Sequence, residues 1–150
     1  MENSVGRNVL MGFIAAAIAV VTVHQAMYLV VGQLGLAKID AWSMKGVAPY
    51  GVPAVLNGMF WGGLWGILFG LIHDKLPGGM MWLKGLIFGL GVLVVSNWLL
   101  LPLIKGNIFG VPNQVLFAGG DTKRLMAGVI ILGGFGAALG LIYGLLTKRS

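Results

Sequence analysis

The chain contains no cysteine, which removes disulfides, iron–sulfur clusters and thiol chemistry together. Charge is scarce as well: 9% of its 150 residues are charged, against roughly a quarter in an ordinary soluble domain. Acid is scarcest, since the four carboxylates, Glu2, Asp40, Asp74 and Asp121, fall at the N-terminal tail or in connecting segments. That placement argues against general acid–base catalysis by paired carboxylates. It argues equally against a proton-coupled exporter of the small four-helix type, which needs a carboxylate inside the membrane. No Walker motif is present. The nearest approach to a dinucleotide fingerprint, "GFGAAL" from Gly134, lacks the third small residue and lies in an apolar run instead of at a strand-to-helix turn. No catalytic residue, no metal and no cofactor is expected.

What the chain does have is hydrophobic length. Hydrophobic residues make up 58% of it, and its mean hydropathy is +0.94. Four stretches, about 9–31, 52–72, 80–104 and 125–146, each reach the ~20 residues needed to cross a ~30 Å hydrocarbon core. No period-2 alternation appears, and backbone polar groups in lipid must be satisfied within the segment, so these are helices and not barrel strands. A cleaved signal peptide does not fit the first run, because its apolar character continues through "MYLVVG" and "HQA" is a poor small-residue site. The expected architecture is all-α: one transmembrane four-helix bundle in a single domain.

The formal net charge of +6 comes from ten basic residues set near the span ends. In a chain this apolar, those cations point to anionic headgroups of the lipid bilayer and not to nucleic acid. An even helix number puts both termini on one side. Arg7, Lys75, Lys84, Lys148 and Arg149 share that side; Lys38, Lys45, Lys105, Lys123 and Arg124 face the other, so the positive-inside rule is tied. The compact basic "HDKLPGG" turn and "TKRS" tail favour a cytoplasmic side for the termini, in a bacterial inner membrane. Both long connections, "AKIDAWSMKGVAPYGVP" and "NIFGVPNQVLFAGGDTKR", carry aromatic and basic residues suited to segments lying in the interface plane.

An internal repeat organises the spans. Placing the first over the third at a shift of 73 residues matches Gly12 to Gly85 and His24 to Asn97. Placing the second over the fourth at a shift of 74 matches Gly66 to Gly140, Phe69 to Tyr143 and Gly70 to Gly144. "GVP" at Gly51 recurs at Gly110. The pattern predicts two helix hairpins pointing the same way through the membrane. Gly58, Gly62, Gly66 and Gly70 recur every fourth residue, as do Gly136, Gly140 and Gly144, so each stripe lines one helix face and lets a neighbouring backbone come close. The neighbour is a helix of this chain or of another copy.

"GLAKID", then "LPGGMMWLKGLIFGLGVLVVSNWLLLPLIKGNIFG", then a glycine-striped last helix ending "LGLIYGLL", resembles small four-helix bacterial inner-membrane proteins of the YagU-like type. The likeness runs from Leu36 onward and rests on "LPG", "WLKG" and the proline near the third span's exit. It implies the fold and the membrane, and it implies no reaction.

Polar residues inside the spans are few. At ~1.5 Å rise per residue, His24, Asn57 and Asn97 come to similar depths on the long-loop side, with Gln25 and Ser96 beside them. Left unpaired in hydrocarbon each costs a few kcal/mol, so an inward-facing polar cluster is expected. His73 sits far from His24 in depth, so the two cannot share a cofactor. Three functions fit: a non-enzymatic scaffold or accessory subunit, associating as a homo-oligomer or with a larger membrane complex through glycine-lined faces; a minimal channel or carrier for a small solute or proton using the polar cluster; and a quinone or haem binder using His24 with Trp61 or Trp98.

Overall fold

The computed structural model describes residues 2–148, apart from the side chains of residues 2 and 3. It is an all-α four-helix bundle. The spans run Ser4–Gln33, Ala54–Lys75, Met81–Ile108 and Thr122–Lys148, each long and apolar enough to cross a membrane, as expected of a multi-pass membrane protein. All four expected spans are present. The third runs through Pro102 and on to Ile108, past its expected end at 104. Proline has no N–H to give the ladder, and the helix passes it by widening to i→i+5 turns over Leu93–Leu100 and Ile104–Ile108.

Local chemistry sets the ends. Gly35, at φ 67°, turns the chain out of the first span while Leu36 N–H donates to the Val31 carbonyl at 2.9 Å. Pro53 precedes the second span, where a missing N–H is harmless. Asp121 Oδ1 accepts the Arg124 N–H at 3.1 Å and so caps the fourth. Lys84, expected to reach headgroups from the start of the third span, donates from Nζ to the His73 carbonyl at 2.9 Å and closes the exposed end of the second.

Packing pairs the first span with the second, the third with the fourth, and the first with the fourth. The fourth is the most enclosed, and its Ile131, Leu132, Phe135, Leu139 and Tyr143 belong to the core. Ring contacts join the second and third spans where Trp65 and Phe69 meet Phe88. Every glycine of the two stripes faces a helix of this same chain. A methyl group on Gly12 would overlap the Gly66 carbonyl, and one on Gly66 the Gly12 carbonyl and Ala16; Gly70 lies on the Asn8 carbonyl, and Gly58 and Gly62 lie on Val20. In the other pair, Gly136 lies on Gly85 and Gly89, Gly140 on the Met81 carbonyl, and Gly144 against the Met81 side chain at 3.2 Å.

These contacts confirm two equivalent hairpins but correct their register. The first and third spans correspond at 73 residues, as the sequence suggests. The second and fourth correspond at 70, so Gly66 matches Gly136 and not Gly140, and Gly70 matches Gly140 and not Gly144: Gly12 on Gly66 repeats as Gly85 on Gly136, Asn8 on Gly70 as Met81 on Gly140, and Phe13 on Gly63 as Leu86 on Gly133. Phe69 then corresponds to Leu139, not to Tyr143, which it instead touches edge-on at 5.4 Å between ring centroids. The cause is the stripe itself. A glycine every fourth residue looks the same after a slip of one helical turn. The "GVP" echo also falls away, since Gly51 precedes the second span whereas Gly110 follows the third.

Candidate functional site

The first span widens over Val20–His24, and the third begins to widen at Leu93, which corresponds to Val20 at the 73-residue shift. In the first, the Gln25 N–H reaches back five residues to the Val20 carbonyl. Such turns are uncommon in helices and concentrate at functional sites. His24 and Asn97 therefore occupy equivalent positions on equivalent irregular turns.

The long connections approach those turns in related ways. In the first, Trp42 adopts φ 50°, its backbone N–H donates to Gln25 Oε1 at 2.7 Å, and its indole Nε1–H donates to the Val21 carbonyl at 2.7 Å, inside the widened turn. In the second, Phe117 adopts φ 47° and its ring meets Trp98, the counterpart of Gln25, at 5.9 Å between centroids. Neither connection is a flat interfacial segment: the first holds a two-residue hairpin, Gly46–Val47 against Val52–Pro53, and the second a tight left-handed turn through Phe117, Ala118 and Gly119.

Two cavities open beneath these connections. One, of about 310 Å³, is lined by Gln25, Tyr28, Lys38, Asp40, Val55 and Gly58. The other, of about 470 Å³, is lined by Lys38, Leu93, Asn97, Trp98, Arg124 and Gly128 among others. They are counterparts. Gln25 corresponds to Trp98, and Gly58 to Gly128, and the segment Lys38–Ile39 lines both. Gly58 lies against Val20 as Gly128 lies against Leu93.

The expected polar cluster is not one cluster. His24 packs edge-on against Tyr28 and Phe135, at 5.0 and 5.9 Å between centroids, and its Nδ1 is buried with no hydrogen-bond partner. Gln25, 3% exposed, faces away from it toward Trp42. Asn97 is exposed on the wall of the larger cavity, while Asn57 and Ser96 are half-buried; among the described residues no hydrogen bond joins any of these to His24. Distance along each span can be counted in the sequence; direction around each helix cannot. The second and third spans flank the central pair, so equal depth leaves Asn57 and Asn97 apart.

His73 lies at the short-loop end beside Phe69 and Tyr143, its Nδ1–H donating to the Gly70 carbonyl at 2.9 Å. Among the described residues no group of three His, Cys, Asp or Glu side chains is placed to hold a metal ion. Trp61 is exposed beside Phe60 on the second span, and Trp98 stacks toward Phe117, so neither ring is in contact with His24. Trp42 and Lys38 are the site residues that sequence reasoning missed. Nothing in the sequence marks a tryptophan for a left-handed conformation. Comparison with protein-family models, curated proteins and solved structures finds no match. The functional reading therefore rests on geometry.

Proposed function

We propose that this chain is a non-enzymatic, self-contained carrier or channel for a small polar solute, bound on the long-loop side of the membrane. The observation that carries the reading is the pair of equivalent cavities beside equivalent widened turns of the first and third spans. Parallel repeats about an axis along the membrane normal, with irregular helix segments at the binding site, are a recurring design of transporters. Opposite the cavities, Phe69, Phe88, Tyr143 and His73 fill the short-loop end with touching rings. Access from one side and closure on the other is the arrangement a carrier needs. The buried, unpartnered His24 Nδ1 behind Tyr28 supplies a polar group that a solute or a water can engage.

A scaffold or accessory subunit working through glycine-lined faces fits less well, because both stripes are occupied within the chain. What that reading keeps is the outer face of the second span, where Phe60 and Trp61 are exposed. The membrane we assign is the bacterial inner membrane, with both termini on the cytoplasmic side.

The test is flux into proteoliposomes, with entrapped pyranine reporting protons and light scattering reporting glycerol-driven swelling. Flux above that of empty vesicles, reduced by both His24→Leu and Asn97→Leu, is the expected result. Flux equal to that of empty vesicles for both probes, together with a stoichiometric partner retained in mild detergent, overturns the carrier reading in favour of an accessory subunit.

A further inference from the structure

The two cavities share a wall but differ in charge. In the smaller one Lys38 shares the lining with a carboxylate, Asp40, which is itself paired with Lys45 at 3.1 Å. The larger one has Lys38 and Arg124 at its rim and no carboxylate in its lining. Asp121 is nearby in sequence, but its Oδ1 is engaged by the Arg124 backbone N–H and it does not line the cavity. Among the described residues neither Lys38 nor Arg124 has an ion-pair partner. Asn97, exposed on the same wall, offers an amide with no hydrogen-bond partner among the described residues. Trp98 carries its indole N–H beside Gly128, where a Cβ would lie 3.5 Å from Nε1. The remaining wall is hydrocarbon: Leu93, Ala127 and Ile131, all buried, with Leu36 and Ala37 opposite.

We infer that the larger cavity binds an anionic amphiphile, a phosphate- or carboxylate-headed molecule whose head is held by Lys38 and Arg124 and whose chain lies along Leu93, Ala127 and Ile131. Two exposed cations, neutral donors and a buried apolar wall in one cavity match the parts of such a molecule. Basic pockets between membrane helices hold lipid headgroups by this means. A zwitterionic head gains much less, because its own ammonium opposes the two cations. The smaller cavity, with Asp40 in its wall, is not suited to the same ligand. The site does not depend on whether a solute crosses the membrane.

The experiment is native mass spectrometry of the full chain released from nanodiscs, with phosphatidylglycerol and phosphatidylcholine as competing probes and inorganic phosphate as a third. Phosphatidylglycerol is expected to be retained over phosphatidylcholine. Its affinity is expected to fall roughly fivefold with either Lys38→Gln or Arg124→Gln, and further in the double variant. The control pair Lys105→Gln and Lys123→Gln, on the same side but outside the cavity lining, is expected to leave the preference intact. Displacement of the lipid by inorganic phosphate, with the same dependence on Lys38 and Arg124, supports the same anion chemistry and identifies a free anion as its source. Equal retention of the two lipids, or equal loss in the cavity and control pairs, overturns the inference. The lipid preference is read with no solute present, so absence of flux in the unsubstituted protein overturns the carrier reading and leaves this test intact.

Discussion

At Val20 in the first hairpin and at Leu93 in the second, the helix widens at the same place, yet the side chains carried by the two turns have diverged. The first bears His24 in a pocket of rings and Gln25 tied to the Trp42 backbone. The second bears Asn97 on an open wall and Trp98 against Phe117. The helix packing has not diverged: Gly12 on Gly66 and Gly85 on Gly136 are the same backbone contact made twice. The comparison separates two roles. Close approach of backbones is tolerant of nothing larger than hydrogen and holds the frame, whereas residues at the turns are free to differ and give each half its own cavity.

The largest effects are expected where that frame is overfilled. Gly66→Val and Gly136→Val should each destabilise by about 3 kcal/mol in mixed-micelle urea unfolding, because a backbone carbonyl cannot step aside as a side chain can. Gly91→Val, with nothing within 4 Å of its Cβ position, is the control and should change little. A smaller contrast tests the register. Gly70→Ala and Gly140→Ala meet carbonyl groups and should cost about 2 kcal/mol each, while Gly144→Ala meets only the Met81 Cβ and Cγ, each at 3.2 Å, and should cost under about 1 kcal/mol. If Gly144 behaved like Gly70 instead, the 74-residue correspondence would be the true one.

At the turns the halves should respond differently. Gln25→Leu removes the acceptor of the Trp42 N–H and should cost about 1–2 kcal/mol, with faster hydrogen exchange at Trp42. Asn97→Leu, at an exposed residue with no hydrogen bond among the described residues, should stay within about 0.5 kcal/mol. One modest effect is a gain. Ala118, at φ 54°, is held in a left-handed conformation that costs a residue with a Cβ about 1 kcal/mol, so Ala118→Gly should raise stability by about that much. A loss there would mean that the second connection does not hold this turn in solution.

The helix count, the span positions, the hairpin repeat and the burial of the glycine stripes were all legible in the sequence, since each follows from apolar length or small-residue spacing. The register of Gly66 with Gly136 was not legible, because a four-residue period conceals a one-turn slip. The polar layer was half legible: His24, Asn57 and Asn97 could be placed in depth from their distance along each span, but their direction depends on how four helices surround one another. The connections were least legible, because Trp42 and Phe117 take left-handed conformations that their residue types do not announce.

The shared frame can be tested directly by cysteine cross-linking, for which a chain without native cysteine is already suited. Three double variants decide it: Phe13→Cys with Gly63→Cys, Leu86→Cys with Gly133→Cys, and Leu86→Cys with Ala137→Cys. The first two are counterparts at the 73- and 70-residue shifts, and both sit at observed contacts. The third displaces the partner by about one turn, roughly 6 Å along the helix, beyond the narrow range a disulfide accepts. Rapid oxidation of the first two pairs and slow oxidation of the third is the expected result; preferential cross-linking of Leu86→Cys to Ala137→Cys would contradict the equivalence of the two halves.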